Sequence, residues 1–364
     1  MKKKAYAKAG VDIDLGNRLK AGLPKLLAST HRAEVLGKVG GFGGLFALDT
    51  DKYRRPVLVS SVDGVGTKLK IAFAMNRHDT IGQDLVNHCV NDIAVLGAEP
   101  LFFLDYIGTG KLDPNVFRQI IEGFARGCVE NHCALIGGET AQMPGFYRLR
   151  EYDLSGTIIG VVERDEILHG ETIRPGDQII GLASSGLHTN GYSLARKIFF
   201  EQMRLKPTSW LAELNNTIGD ELLKVHLSYG DLVQKLLKTF NSHRVTSSSK
   251  RSQSSKQHST GAIKGLAHIT GGGFVDNIPR VLPKNCDIVI RKDTWKMLPI
   301  FQILRARAGV PESELYQVFN MGIGMTIIVE AERADEVLRF CRGQKREAWF
   351  VGEVKKGRRK VTVV

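Results

Sequence analysis

The 364-residue chain contains no run of about 18 apolar residues, so no membrane-spanning helix is expected. Cysteine is scarce. The five present (Cys89, Cys128, Cys133, Cys286 and Cys341) are odd in number and form no C-x-x-C pair. This argues against a disulfide framework and a zinc site, and fits a reducing, cytoplasmic setting. The basic N-terminus runs into Val11-Asp12-Ile13-Asp14 rather than an apolar core, so no secretory signal is expected. No G-x-x-x-x-G-K-[ST] string occurs, which excludes a P-loop. No short-period repeat of the solenoid kind is present. Acidic residues are outnumbered, with 38 Asp+Glu against 51 Lys+Arg and a net charge of +13. Such an excess invites a polyanion-binding reading. Three segments carry nearly all of it: residues 2–4 (+3), 241–260 (+4) and 355–360 (+5). The remaining chain is close to neutral, so no specific nucleic acid is expected as a partner.

What is present is ordinary globular composition, 43% hydrophobic and 24% charged, which excludes a mostly disordered chain. At about 150 residues per domain, the length suggests two domains. The expected division is 1–168 and 169–364. Residues 57–62 read as a buried strand ending at Asp63-Gly64. A helix is expected over 79–97, capped by Asp79, then a strand over 101–106. Asp113-Pro114 opens a helix reaching about residue 132. Short strands follow at 134–136, ending in Gly137-Gly138-Glu139, and at 154–162. The second half repeats a strand–loop–helix design. A strand at 178–183 leads through Ser184-Ser185-Gly186-Leu187-His188-Thr189-Asn190-Gly191 to a helix at 192–203. Another at 266–269 leads through Thr270-Gly271-Gly272-Gly273 to a helix from Phe274. This alternation predicts an α/β fold. Residues 241–260 are Ser-rich, basic and without hydrophobic periodicity, and read as a disordered surface insert.

Four acids stand beside glycines or at element boundaries: Asp63, Asp79, Asp92 and Glu139. Acids from separate segments can hold Mg²⁺ shared with phosphate oxygens. Each alone could equally satisfy turn amides or cap a helix. Lys68, in Asp63-Gly64-Val65-Gly66-Thr67-Lys68, could meet phosphate as a point charge. Asp84, His88 and Asp92 share a helical face, which suits a metal, a buried interface or solvent; His88 alone reads as structural. The loops at 184–191 and 270–274 each offer backbone N–H groups to an anion, which suggests one phosphate held between them. His188 could bind that anion, act as an acid–base group or hold its loop together.

Together these segments resemble the phosphoribosylformylglycinamidine cyclo-ligase family, also called aminoimidazole ribonucleotide synthetases. The resemblance runs from about residue 5 to 354. It includes Gly40-Gly41-Phe42-Gly43, Asp63 to Leu69, His78 to Gly82, Gly97 to Tyr106, Gly137 to Ala141, Ser184 to Ser193, His268 to Phe274 and Phe319 to Met325. It implies a two-domain enzyme whose first domains pair across a homodimer into a β-barrel, with ATP along the interface. The implied reaction closes formylglycinamidine ribonucleotide to aminoimidazole ribonucleotide in purine synthesis. The formyl oxygen is phosphorylated by ATP, then a nitrogen attacks that carbon and phosphate leaves. On this pattern Asp63, Asp92 and Glu139 hold Mg²⁺. ATP is bound by Lys68, Asp63, Gly64, Gly66, Thr67, Asp79, Gly138 and Glu139. The substrate phosphate is held by Ser185, Gly186, His188, Asn190, Gly271, Gly272 and Gly273. His188 or Asp105 moves a proton. A monovalent cation is left open.

Two departures stand out. The family's Pro-Thr pair after its long helical region is Val225-His226 here, and the 241–260 insert is additional. Two other readings compete: another ATP-using phosphotransferase of the same superfamily, and a non-catalytic nucleic-acid-binding descendant. The first lacks the reactive early cysteine of selenophosphate synthetases. The second lacks aromatics among its basic segments.

Overall fold

A computed structural model of the chain describes residues 4–37, 40–241 and 261–364. The expected insert therefore lies, apart from Asn241, outside the described residues. Three helices come first: α1 (Ala5–Lys8), α2 (Ile13–Ala21) and α3 (Pro24–Ala28). The first half then runs β1 (Pro56–Gly64), α4 (Leu69–Met75), α5 (Ile81–Ala94), β2 (Glu99–Thr109), α6 (Pro114–Glu130), β3 (Ala134–Gln142) and β4 (Tyr152–Glu163). Its four strands form one sheet in the order β1-β4-β2-β3. Only β2 and β3, joined through α6, are parallel; β4 is antiparallel to both β1 and β2.

The second half begins with β5 (Gln178–Ala183) and α7 (Tyr192–Arg196), which continues as a π-helical turn over Lys197–Gln202. A hairpin of two-residue strands, β6 (Trp210–Leu211) and β7 (Asn216–Thr217), leads to α8 (Ile218–Leu222) and α9 (Gly230–Phe240). Then come β8 (Ile263–His268), α10 (Gly273–Asn277), β9 (Cys286–Ile290), α11 (Pro299–Arg307) and α12 (Glu312–Val318). The chain ends with β10 (Ile323–Val329), α13 (Ala334–Gly343), β11 (Ala348–Lys356) and β12 (Val361–Val363). Six of these strands form a sheet in the order β12-β9-β11-β5-β10-β8. All neighbours in it are antiparallel except β12 and β9. The fold is thus mixed, with parallel pairing confined to one crossover in the first sheet and one edge of the second.

Local chemistry explains most element boundaries. The Asp113 carboxylate accepts from the N–H groups of Asn115 and Val116 at 2.9 and 3.1 Å, and Pro114 occupies the first turn of α6. Helix α5 differs from expectation. Its N-cap position is Thr80, with no side-chain cap, and Asp79 instead lies beside Arg77 and Arg126. What holds α5 is burial, since 12 of its 14 residues are inside. Each fully buried Ile, Leu or Val contributes about 1.5–3 kcal/mol. Strand β3 also differs, running through Gly137-Gly138 to Gln142. The glycines allow this because Asp105 of β2 sits directly over Gly138, where a Cβ would collide with its carboxylate.

Candidate active-site cleft

The two halves meet along α5. Its row Asp84, Asn87, His88 and Asn91 is a polar face buried at an interface. The partners come from the second half. Asp84 accepts from the His226 N–H at 2.7 Å, and Asn87 donates to the His226 carbonyl at 2.8 Å. Asn91 donates to the Leu227 carbonyl at 2.9 Å and accepts from the Tyr229 N–H at 2.8 Å. His88 Nδ1 lies 2.6 Å from Thr189 Oγ1.

Beside this junction lies a cleft of about 690 Å³. Ser61 and Asp63 of β1, His88 and Asp92 of α5, and His268 at the end of β8 line one end. Asn190, Thr270, Gly271, Asn277 and Arg280 line the other parts. The Ser61 hydroxyl lies 3.3 Å from a carboxylate oxygen of both Asp63 and Asp92. His268 Nδ1 is 2.7 Å from Asp92 Oδ1. Burial, reinforced by the neighbouring Asp92, pushes the Asp63 carboxyl up to about 7. Burial opposes ionisation of Asp92 too, but His268 and His88 hold its carboxyl well below the usual range. One acid of the pair thus keeps its proton more readily than the other, as two close carboxylates must.

The expected metal trio is not assembled. Asp63, Gly156, Asp105 and Gly138 occupy one register row across the first sheet. The next row is Gly64, Ser155, Tyr106 and Glu139. Glu139 therefore points to the opposite face from Asp63, three strands or about 14 Å away. That opposite face is exposed, and it carries Leu58 and Val62 as well as Gly64 and Glu139.

Lys68 is also placed differently from expectation. Its side chain has no exposed surface. The ammonium contacts Asp84 at 2.8 Å, the Lys224 carbonyl at 2.7 Å and the His188 carbonyl at 3.3 Å. Three protons face three oxygens, which leaves none for a phosphate. Thr67 pairs with Ser193 at 3.1 Å, and Gly66 adopts a left-handed φ of +66°. Asp79 is absent from the cleft lining.

Among the expected phosphate ligands, Asn190 and Gly271 reach the cleft and touch each other. A Cβ on Gly271 would stand 3.2 Å from Asn190 Oδ1, and Asn190 Nδ2 is buried without a partner. Gly272 and Gly273 turn the chain into α10 with φ of +94° and +56°. Ser185 is committed elsewhere, its N–H to His188 Nε2 and its hydroxyl to the Val225 carbonyl. The Gly186 carbonyl accepts from Ser184 and Asn320. His188 lies behind the cleft, 1% exposed, with Nε2 facing the Ser185 and Leu227 N–H groups. Burial, and then the neighbouring His268 and Lys68, keep its ring neutral. It holds its loop together through Nε2, one of the roles open from sequence, while its Nδ1 is buried without a partner among the described residues. Asp105 is half-buried on the sheet, outside the cleft, and burial pushes its carboxyl up to about 7.

Sequence reasoning missed His268 and Arg280 as cleft residues. His268 ends a strand immediately before a glycine loop, a position that could have marked it. Arg280 carried no such signal, yet it is the only Lys or Arg among the described lining residues and makes no ion pair there.

Comparison with known proteins bears on this arrangement. Residues 49–162 match the family model for the AIR synthase related protein N-terminal domain, and residues 249–364 match that for its C-terminal domain. A phosphoribosylformylglycinamidine cyclo-ligase of Syntrophotalea carbinolica is 50% identical over 98% of this chain and 95% of its own length. One from Geobacillus thermodenitrificans is 49% identical over 97% and 96%. Similar solved structures include thiamine-monophosphate kinase from Stenotrophomonas maltophilia, with TM-score 0.64, 18% identity and coverage of 93% and 94%. The hydrogenase maturation protein HypE in complex with ATP has TM-score 0.63, 17% identity and coverage of 98% and 93%. These two share the fold. On its sequence relatives and its two domain matches, the chain belongs to the phosphoribosylformylglycinamidine cyclo-ligase family.

Proposed function

We propose that the protein closes formylglycinamidine ribonucleotide to aminoimidazole ribonucleotide, using ATP and releasing ADP and phosphate. The observation that carries this reading is the two-ended cleft. One end offers the Asp63–Asp92 carboxylates, and another part offers Asn190, Gly271 and the unpaired Arg280. A ribose phosphate fits the second set, through a buried amide donor and a guanidinium suited to phosphate geometry. The two hard carboxylates fit Mg²⁺. Asp63 and Asp92 would hold such an ion, which would supply charge neutralisation to the phosphate oxygens. The chain's own part is positioning: phosphate anchoring at Arg280 and Asn190 would fix the formyl group relative to the acids. The first step joins the formyl oxygen to the γ-phosphorus and frees ADP. In the second, a nitrogen attacks the activated carbon, which expels phosphate and a proton. His188 and Asp105 are given no proton-transfer role, since neither lines the cleft.

In the same reading the protein works as a homodimer, its first sheets facing each other across Leu58, Val62, Gly64 and Glu139, and ATP lies along that interface with its γ-phosphate reaching the Asp63–Asp92 end of the cleft. The test is direct. Purified protein with ATP, Mg²⁺ and formylglycinamidine ribonucleotide should yield aminoimidazole ribonucleotide, and no product would overturn the assignment. Arg280→Met should raise KM for the ribonucleotide by about 10–100-fold, the value of a charge-assisted hydrogen bond, while KM for ATP stays constant.

A further inference from the structure

We propose that the cleft also binds nucleoside 5′-monophosphates, the base lying on an aliphatic wall beside Arg280, in competition with the ribonucleotide. The inference rests on the phosphate set of the proposed function and adds a base subsite that the proposed substrate does not use.

The acids occupy one end of the cleft, and much of the remaining lining is aliphatic: Val59, Val95, Leu96, Leu168, Leu266 and Val281. Val59, Ser61 and Asp63 alternate along β1 and share one face. At about 3.3 Å per residue, Val59 stands about 13 Å from Asp63. Val95 and Leu96 follow Asp92 just past the end of α5. The wall therefore leads away from the acids. Its pieces adjoin one another. The Leu168 N–H donates to the Leu96 carbonyl at 3.2 Å. Gly170, with a φ of +74°, packs so closely on Val281 that a Cβ would fall 1.9 Å from the Val281 carbonyl oxygen. That contact ties the segment Leu168-His169 to the segment that carries Arg280. Leu96 stays 37% exposed, so the wall is open to a ligand.

Formylglycinamidine ribonucleotide leaves this wall without a partner. Beyond its ribose it is open-chain, a formamide and an amidine flanking a single methylene. An aliphatic surface gains more from a flat ring, whose faces are apolar and whose polar atoms lie at its edge. His169 follows Leu168 in the lining. It is exposed and makes no hydrogen bond or ion pair among the described residues. Its imidazole can stack on such a ring or bond to its edge. Charge sets the number of phosphates. Arg280 is the only Lys or Arg among the described lining residues, and without a metal Asp63 and Asp92 repel further negative charge. A monophosphate matches that balance, and a di- or triphosphate does not.

The experiment titrates the full chain by calorimetry, without Mg²⁺, using AMP, ribose 5-phosphate and adenosine. AMP should bind about 10–100-fold more tightly than ribose 5-phosphate, the value of covering one face of a base. Its binding should also carry a negative heat-capacity change. Leu96→Asn should cut the preference by about 3–10-fold and leave ribose 5-phosphate binding unchanged. Arg280→Met should weaken AMP and ribose 5-phosphate alike and spare adenosine. During turnover, AMP should raise KM for the ribonucleotide and leave KM for ATP constant. Equal affinity for AMP and ribose 5-phosphate overturns the proposal, and so does an unchanged preference in Leu96→Asn. Displacement of AMP by a non-hydrolysable ATP analogue overturns it too, by placing AMP at the ATP face. Calorimetry needs no turnover, so the two readings fail separately. Product formation without a preference for AMP removes the base subsite alone. AMP binding without product removes the cyclo-ligase reading alone.

Discussion

Lys68 and Asp84 form an ion pair with no exposed side-chain surface on either partner. Burial pulls the ammonium down and the carboxyl up, so each group is charged only because the other is there. Lys68→Met should therefore destabilise the protein by about 3–5 kcal/mol in urea unfolding, and adding Asp84→Leu should recover much of it. Asp105 makes a different case. Its folded-state carboxyl is raised to about 7 by burial, and then by Glu139 nearby, against about 3.9 in an unfolded chain. The folded state holds the proton longer, so stability falls as pH rises through that window. Asp105→Asn should melt higher than the parent at pH 8, with the gap closing toward pH 4. Residue types and their loops were legible in the sequence; residue roles were less so. Lys68 reads as a phosphate contact because it follows a glycine turn. Only the packing of the two halves brings Asp84, Lys224 and His188 around it.

Helix α5 was legible as a helix from its flanking signals, but the reason for its stability was not. Its approach to α6 is set by glycines. A Cβ on Gly82 would strike the backbone of Ile120 and Phe124, and one on Gly127 would come within 2.8 Å of the Val86 Cβ. Gly82→Ala should thus cost about 1–3 kcal/mol or more as overpacking, read as a fall in Tm with no gain from better helix propensity. In β3 the same residue type had the opposite meaning to the one expected. Gly137-Gly138 reads as a strand end, yet the strand continues because Asp105 occupies the space a side chain would take. A sequence shows that glycine is present, and only the neighbouring strand shows what fills the gap.

Across the whole molecule, the two-part α/β architecture was readable from the strand–helix alternation, whereas the mixed sheet order was not, because pairing depends on contacts far apart in sequence. Strand β1 closes one edge of the first sheet while exposing 62% of Leu58 and 64% of Val62. An exposed apolar face of this kind marks an interaction surface. On the homodimer proposed above, Leu58→Lys should sediment as a monomer where the parent sediments as a dimer, with cleft residues undisturbed. Deleting residues 243–258 should leave turnover nearly intact, since residues added between two elements change the closure entropy little. The join between the halves also has a consequence for the order of synthesis. Asp84, Asn87, His88 and Asn91 of α5 depend on partners that follow much later, and 142 residues separate Asp84 from His226. At about 5–20 residues per second, the ribosome takes roughly 7–28 s to deliver them. For that interval the polar face of the first half is solvated by water, so the junction closes only by exchanging those water contacts for the second half's backbone groups.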